Sequence, residues 1–231
     1  MNPTVGVIQE SFDLYKKHFA HLFLVAFVIY AGIAILTAIA TAIGGGAALF
    51  VASILSIIGL FLVQAALVEA VSDIRDGRVD MTLGETFSRG ASRLGPVAGA
   101  GILAGIGIAI GLVLLIIPGL ILLTWWSVIV PVIVLEGVGV LASFSRSRNL
   151  VRGHDFQVFL VIVLELLVLF LVGIVLSLIL AALPSGVQSF VSNIVSGSLT
   201  GPFSALITTL LYFRLKEAKE GLGGMPPTQI S

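Results

Sequence analysis

Cysteine is absent from the chain, which removes disulfides, thiolate metal sites and cysteine nucleophiles together. Charge is nearly as scarce. Asp, Glu, Lys and Arg make up 10% of the 231 residues, against roughly 25% in a soluble domain. No long polar stretch is present that could form a soluble module, so one membrane-embedded domain is expected, with residues 1–218 in the bundle and 219–231 as a disordered tail. The N-terminus also lacks a leader pattern. Glu10, Asp13, Lys16 and Lys17 sit where the apolar core of a signal peptide would be, so residues 1–19 are expected to persist. Asn2 in place of glycine and the missing C-terminal cysteine box leave no lipidation signal.

Apolar residues fill the space, at 58% of the chain. A soluble fold of this length could not bury that surface, so lipid must cover the outside. Six stretches are long enough to cross a bilayer, which needs about 20 apolar residues: 20–43, 47–71, 96–117, 120–137, 155–183 and 187–213. Gly44-Gly45-Gly46, Pro118-Gly119 and Pro184-Ser185-Gly186 read as the turns within three hairpins, and Pro131 as an interruption of span four. A charged loop over 72–81, turning at Asp76-Gly77, separates spans two and three. Ahead of each hairpin (units 1–71, 82–137 and 139–213) the apolar period is helical and one face is charged, which predicts an interfacial amphipathic helix. In the first, Val5, Ile8, Phe12, Tyr15 and Phe19 form the apolar side. Trp125 and Trp126 are placed like an interfacial anchor. The expected fold is therefore all-α and polytopic.

All twelve Lys and Arg lie before span one, between spans two and three, between four and five, or after six. The positive-inside rule puts those segments, with both termini, in the cytoplasm and the protein in the cell membrane. The layout also repeats. Glu10-Ser11-Phe12, Glu85-Thr86-Phe87 and Ala142-Ser143-Phe144 hold matching places, and Glu69 and Glu136 close spans two and four. Pairing of these acids with arginines would seat the basic helices on the bundle, so Glu69, Glu136, Pro118, Gly119 and Pro131 read as structural.

Glu165 is the acid that topology does not explain. Ten residues past Asp155, it lies roughly 15 Å along span five at 1.5 Å per residue, where a carboxylate costs at least ~2.5 kcal/mol. Span six offers a partner surface. Ser192, Ser196, Thr200, Ser204 and Thr208 form one i, i+4 row, beside Ser189, Asn193, Gly197, Gly201 and Ala205. Such rows serve helix packing; the alternative is a polar track past Glu165, with Ser196, Thr200 and Ser204 as its proton or ion ligands, opened at Gly201-Pro202. The glycines of span three follow no strand and precede no acid at dinucleotide spacing. His18, His21 and His154 have no carboxylate cluster beside them, so neither a metal nor a cofactor is expected. Lys16, Lys17, Arg89, Arg93, Arg146, Arg148 and Arg152 suit anionic lipid headgroups rather than nucleic acid.

The run Ile117-Pro118-Gly119, Pro131, Glu136, Ser143-Phe144-Ser145-Arg146-Ser147, Leu150, Gly153 and Phe156 resembles a loose group of six-helix prokaryotic membrane proteins. That group includes the membrane domain found with some glycerophosphodiester phosphodiesterases. The resemblance covers about 40 residues and implies a fold; the chain has no phosphodiesterase module, so no catalysis is implied. Two function classes stand open. One is a non-catalytic protein that engages anionic membrane lipid through a basic collar, in membrane organisation or as a scaffold, with a second copy or a membrane partner protein also open. The other is a transporter or channel for a small solute, lipid or proton, built on Glu165 and span six. An intramembrane enzyme lacks a paired nucleophile and base.

Overall fold

The computed structural model describes residues 4–75 and 80–221. The turn expected at Asp76-Gly77 and residues 222–231 of the expected tail lie outside the described residues. Among the described residues six helical segments are long and apolar enough to cross a membrane, and the protein is an all-α, multi-pass membrane protein. In chain order the helices are α1 (Val7–Lys17), α2 (Phe19–Ile43), α3 (Gly46–Arg75), α4 (Leu83–Ser92), α5 (Leu94–Leu114), α6 (Ile116–Trp125), α7 (Ile129–Glu136), α8 (Val140–Val151), α9 (Asp155–Leu180) and α10 (Ser185–Glu220). Span four is α6 and α7 together.

Two turns differ from expectation. Chain reversal between spans three and four uses one extended residue, Leu115 at φ −156° and ψ 131°, and Pro118-Gly119 lies inside the first turn of α6. The first helical N–H groups have no partner within the helix, so a proline costs nothing there. Gly119 serves contact instead: a Cβ on it would sit 2.4 Å from Leu112 Cγ and 2.6 Å from the Leu112 backbone nitrogen. Between spans five and six the reversal occupies 181–184, with Ser185 already helical. The Gly44-Gly45 turn is as expected, with φ of 72° and 85°, values that only glycine adopts freely.

Span four breaks at 126–128, just ahead of Pro131. The ring of Pro131 obstructs the carbonyl four residues back, that of Ser127, and offers it no N–H. The helix therefore yields upstream of the proline rather than at it. Helix lengths also exceed the apolar runs. α3 continues to Arg75 because Leu67, Ala70, Val71 and Ile74 carry one buried stripe past the end of the hydrophobic stretch, and α10 continues to Glu220, so residues 219 and 220 are helical rather than tail.

α1, α4 and α8 each lead into a hairpin, and their matching residues take matching places. Ser11, Thr86 and Ser143 are all fully buried. Each donates its hydroxyl to a backbone carbonyl of the preceding turn, at Val7, Thr82 and Val140 respectively. Small hydroxyl residues thus face the bundle. The expected apolar side is split: Val5 is 69% exposed, Phe12 49% and Phe19 40%, whereas Ile8 and Tyr15 pack against the core together with Val7 and Leu14. Lipid is as good a solvent for phenylalanine as the bundle is, so close approach decides which residue faces inward. The core follows suit. It gathers around α10, α7 and the last four turns of α3, while residues 113–117 at the α5–α6 tip are exposed leucine, isoleucine and valine.

α4 is fixed by a capping box. Glu85 N–H donates to Thr82 Oγ1, and the Glu85 carboxylate accepts from the Thr82 N–H at 2.8 Å. These bonds hold the Glu85 carboxyl below its usual value of 4.5. A depressed acid contributes above its unfolded pKa and loses that contribution as pH falls through the folded one. The protection factor of the Glu85 amide, its exchange corrected for the intrinsic pH dependence, is therefore expected to fall as pH drops through the depressed carboxyl value, and to be several-fold lower at neutral pH in T82A. Equal protection in T82A and the parent protein would contradict this.

Candidate functional site

Glu165 projects from α9 into the bundle and is 7% exposed. Ser204 of α10 donates its hydroxyl to Glu165 Oε1, joining two residues 39 positions apart. Thr200 Oγ1 donates to the Ser196 carbonyl at 2.7 Å, and Thr208 Oγ1 to the Ser204 carbonyl at 3.0 Å. Of the expected group, Glu165 and Ser204 are in direct contact, Thr200 is one turn away, and Ser196 contributes only its carbonyl. The side chain of Ser189 lies outside the described residues.

Beside this pair is a cavity of about 410 Å³. Its polar lining is Tyr30, Gln64, Ser127, Thr200, Ser204 and Thr208, drawn from α2, α3, the α6–α7 break and α10. Leu169 of α9, one turn beyond Glu165, closes another side. The Ser127 hydroxyl is buried with no hydrogen-bond partner among the described residues. Close approach of α2 shapes the wall: a Cβ on Gly197 would fall 2.4 Å from the Tyr30 ring. Gly197 therefore lets Tyr30 lie over α10.

The second polar cluster ties α7, α8 and α10 at the end that carries the basic residues. Glu136, its side chain 13% exposed, accepts from Arg146 Nε and Nη2, both at 2.8 Å. It also accepts from Tyr212 Oη at 2.9 Å, and Lys216 Nζ lies 3.4 Å away. Arg146 further pairs with Glu220, and the two carboxylates raise its pKa. At the other ends of the chain Arg214 pairs with Glu10 and the Val5 carbonyl. Tyr15 Oη donates to the Leu199 carbonyl at 2.9 Å, with burial pushing its phenol up to about 12. Glu69, by contrast, makes no ion pair among the described residues.

These partners divide the seven expected headgroup cations. Arg146 is turned inward onto Glu136. Arg93 is half-buried, its guanidinium 3.0 Å from where a Cβ on Gly137 would begin, at the C-terminal end of α7 where a cation complements the helix dipole. Arg146 thus has carboxylate partners within the protein and Arg93 lies against Gly137, a difference from the freely solvated cations that the sequence suggested. Lys17, Arg89 and Arg152 are exposed, Lys16 lies 4.1 Å over the Phe12 ring and Arg148 lies 3.9 Å over the Trp125 ring. Trp125 Nε1 donates to Asp155 Oδ1 at 2.9 Å, and Trp126 packs edge-on against Phe144 at 4.9 Å.

Tyr212 and Lys216 lie beyond the hydroxyl row that the sequence displays, which ends at Thr208. The i, i+4 series in fact runs on through Tyr212, Lys216 and Glu220, and that continuation was the available signal. No protein-family model matches the chain, and neither does any curated protein or solved structure.

Proposed function

We propose that the chain is a non-catalytic membrane protein that holds anionic lipid at its basic end, in membrane organisation or as a scaffold. One observation carries this reading: a pocket of about 600 Å³ between α6 and α8 that is apolar at its base and cationic at its rim. Leu122, Trp126 and Phe144 give a surface for an acyl chain, while Arg148, Asn149 and Arg152 surround a place for a phosphate. Among the described residues no acid pairs with Arg148 or Arg152 within 4 Å. In this reading the basic end faces the cytoplasm of a cell membrane, as the positive-inside rule requires. Juxtamembrane cations contribute about 1 kcal/mol each towards anionic headgroups. The resemblance to the membrane domain of the phosphodiesterase group accords with such a role and adds no catalysis to it.

The two tryptophans, both at this pocket, make the test direct. In bilayers containing brominated lipid, anionic phosphatidylglycerol should quench their fluorescence more than zwitterionic phosphatidylcholine at equal mole fraction. In R148A/R152A the preference should fall about tenfold or more, as expected for two lost charges, and high salt should weaken it. Equal quenching by both lipids in the parent protein would end this reading. A transporter or channel reading is favoured by a different observation, the cavity that Ser204 lines.

A further inference from the structure

We infer that the cavity beside Glu165 is a binding site for a small cation, of the size of a primary ammonium ion, with Glu165 as its counter-charge. The inference is independent of the lipid reading. It rests first on what the lining hydroxyls have left to offer. Thr200 spends its proton on the Ser196 carbonyl, Ser204 on Glu165 and Thr208 on the Ser204 carbonyl. Each hydroxyl has one proton and two lone pairs, so what these three present to the cavity is acceptor only.

The break in span four adds to this. Pro131 has no N–H, so the Ser127 carbonyl lacks its helical donor, and the neighbouring Ile129 N–H is already spent on the Trp126 carbonyl. The Ser127 hydroxyl has no partner among the described residues, and no hydrogen bond within those residues engages the Gln64 amide or the Tyr30 hydroxyl. These groups turn to suit an occupant: the Ser127 hydroxyl is buried, where lacking a partner is costly, and Gln64 is an exposed residue of the lining, free to reorient.

Charge selects the sign of the occupant. Among the described residues no Lys, Arg or His lines the cavity. Apart from the Tyr30 phenol, the ionisable group within one hydrogen bond of it is Glu165, through Ser204. An anion would meet lone pairs and a carboxylate. Size excludes a bare metal ion as the sole occupant: about 410 Å³ is the scale of a small-ligand pocket, more than ten times the roughly 30 Å³ that one water occupies in the liquid.

The lack of native cysteine makes each introduced thiol unique. Full-length S127C and Q64C, in lipid nanodiscs, are treated with methanethiosulfonate reagents carrying either an ethylammonium or an ethylsulfonate group. L178C on the lipid-facing surface of α9, 71% exposed, controls for reagent dissolved in the bilayer. The cationic reagent is expected to modify both cavity thiols at least about tenfold faster than the anionic one, as field focusing in a cleft allows, with E165Q bringing that ratio close to one. Neither thiol reacting above the L178C rate would mean a closed, dry void and overturn the site. Reaction without charge preference, or a preference that survives E165Q, would overturn the cation assignment. The ratio at the two thiols decides the matter by itself should E165Q fail to fold.

Discussion

Arg146→Ala is expected to cost about 2–3 kcal/mol of stability, the range for removing charge-assisted hydrogen bonds from a partly buried acceptor. Its two bonds to Glu136 are at 2.8 Å, and the side chains are 27% and 13% exposed, so the pair is neither a screened surface bridge nor fully buried. Removal of the guanidinium leaves Glu136 with Tyr212 Oη and Lys216 Nζ, a partial replacement that keeps the loss below that of a wholly buried pair. Arg146→Lys should recover little, because one ammonium cannot reproduce the forked contact. The double variant E136A/R146A should lose less than the two singles added together, by about 1–2 kcal/mol, the signature of a direct pair. Trp125 and Trp126 report the transition in detergent. A shift of about 4–8 °C is expected for R146A at this chain length, and one under about 1 °C would show that the ion pair does not seat α8.

Gly119→Ala should be nearly as harmful, although alanine favours helix over glycine by up to ~1 kcal/mol. The new Cβ would meet the backbone nitrogen of Leu112 at 2.6 Å and its Cγ at 2.4 Å, and Gly111 approaches from the same side, its own Cβ position 2.9 Å from Gly119 Cα. Backbone cannot swing aside as a side-chain tip can, so α5 and α6 must separate. Overpacking of this kind costs typically about 1–3 kcal/mol. Gly105→Ala is the matched control on α5, since nothing lies within 4 Å of its Cβ position and helix propensity alone acts there. G119A should melt several degrees below the parent protein and G105A level with it or slightly above. A reversed order would mean that the hairpin is held by its turn rather than by its glycine contact.

Much of this was legible in the sequence because lipid imposes simple rules. Six apolar runs had to become helices, since every buried backbone group needs a partner within its own segment. The acid in span five had to meet a donor, because a lone carboxylate there is too costly. Pro118-Gly119 misled because in water-soluble chains that pair marks a turn, whereas at the start of a helix proline is free of penalty and glycine can serve contact. The same ambiguity hid the inward face of α1. Ser11 is buried beside Val7, Ile8 and Tyr15 while Phe12 is exposed, because a small residue permits close approach and lipid accepts the large one.

The amino-acid order by itself determined the six spans, the three leading helices, the clustering of positive charge at one end and the need of Glu165 for a partner. Each follows from short-range pattern and the cost of placing charge in hydrocarbon. Only the tertiary structure decided that Ser204 is that partner among five equivalent hydroxyls in the row, that Glu136 takes Arg146 rather than Arg148, and that the span-four break opens onto a cavity. Those choices depend on how helices are rotated and how closely they approach. Gly197 sets one such approach through contact with Tyr30, far away in the chain, and Gly119 sets another across the α5–α6 hairpin.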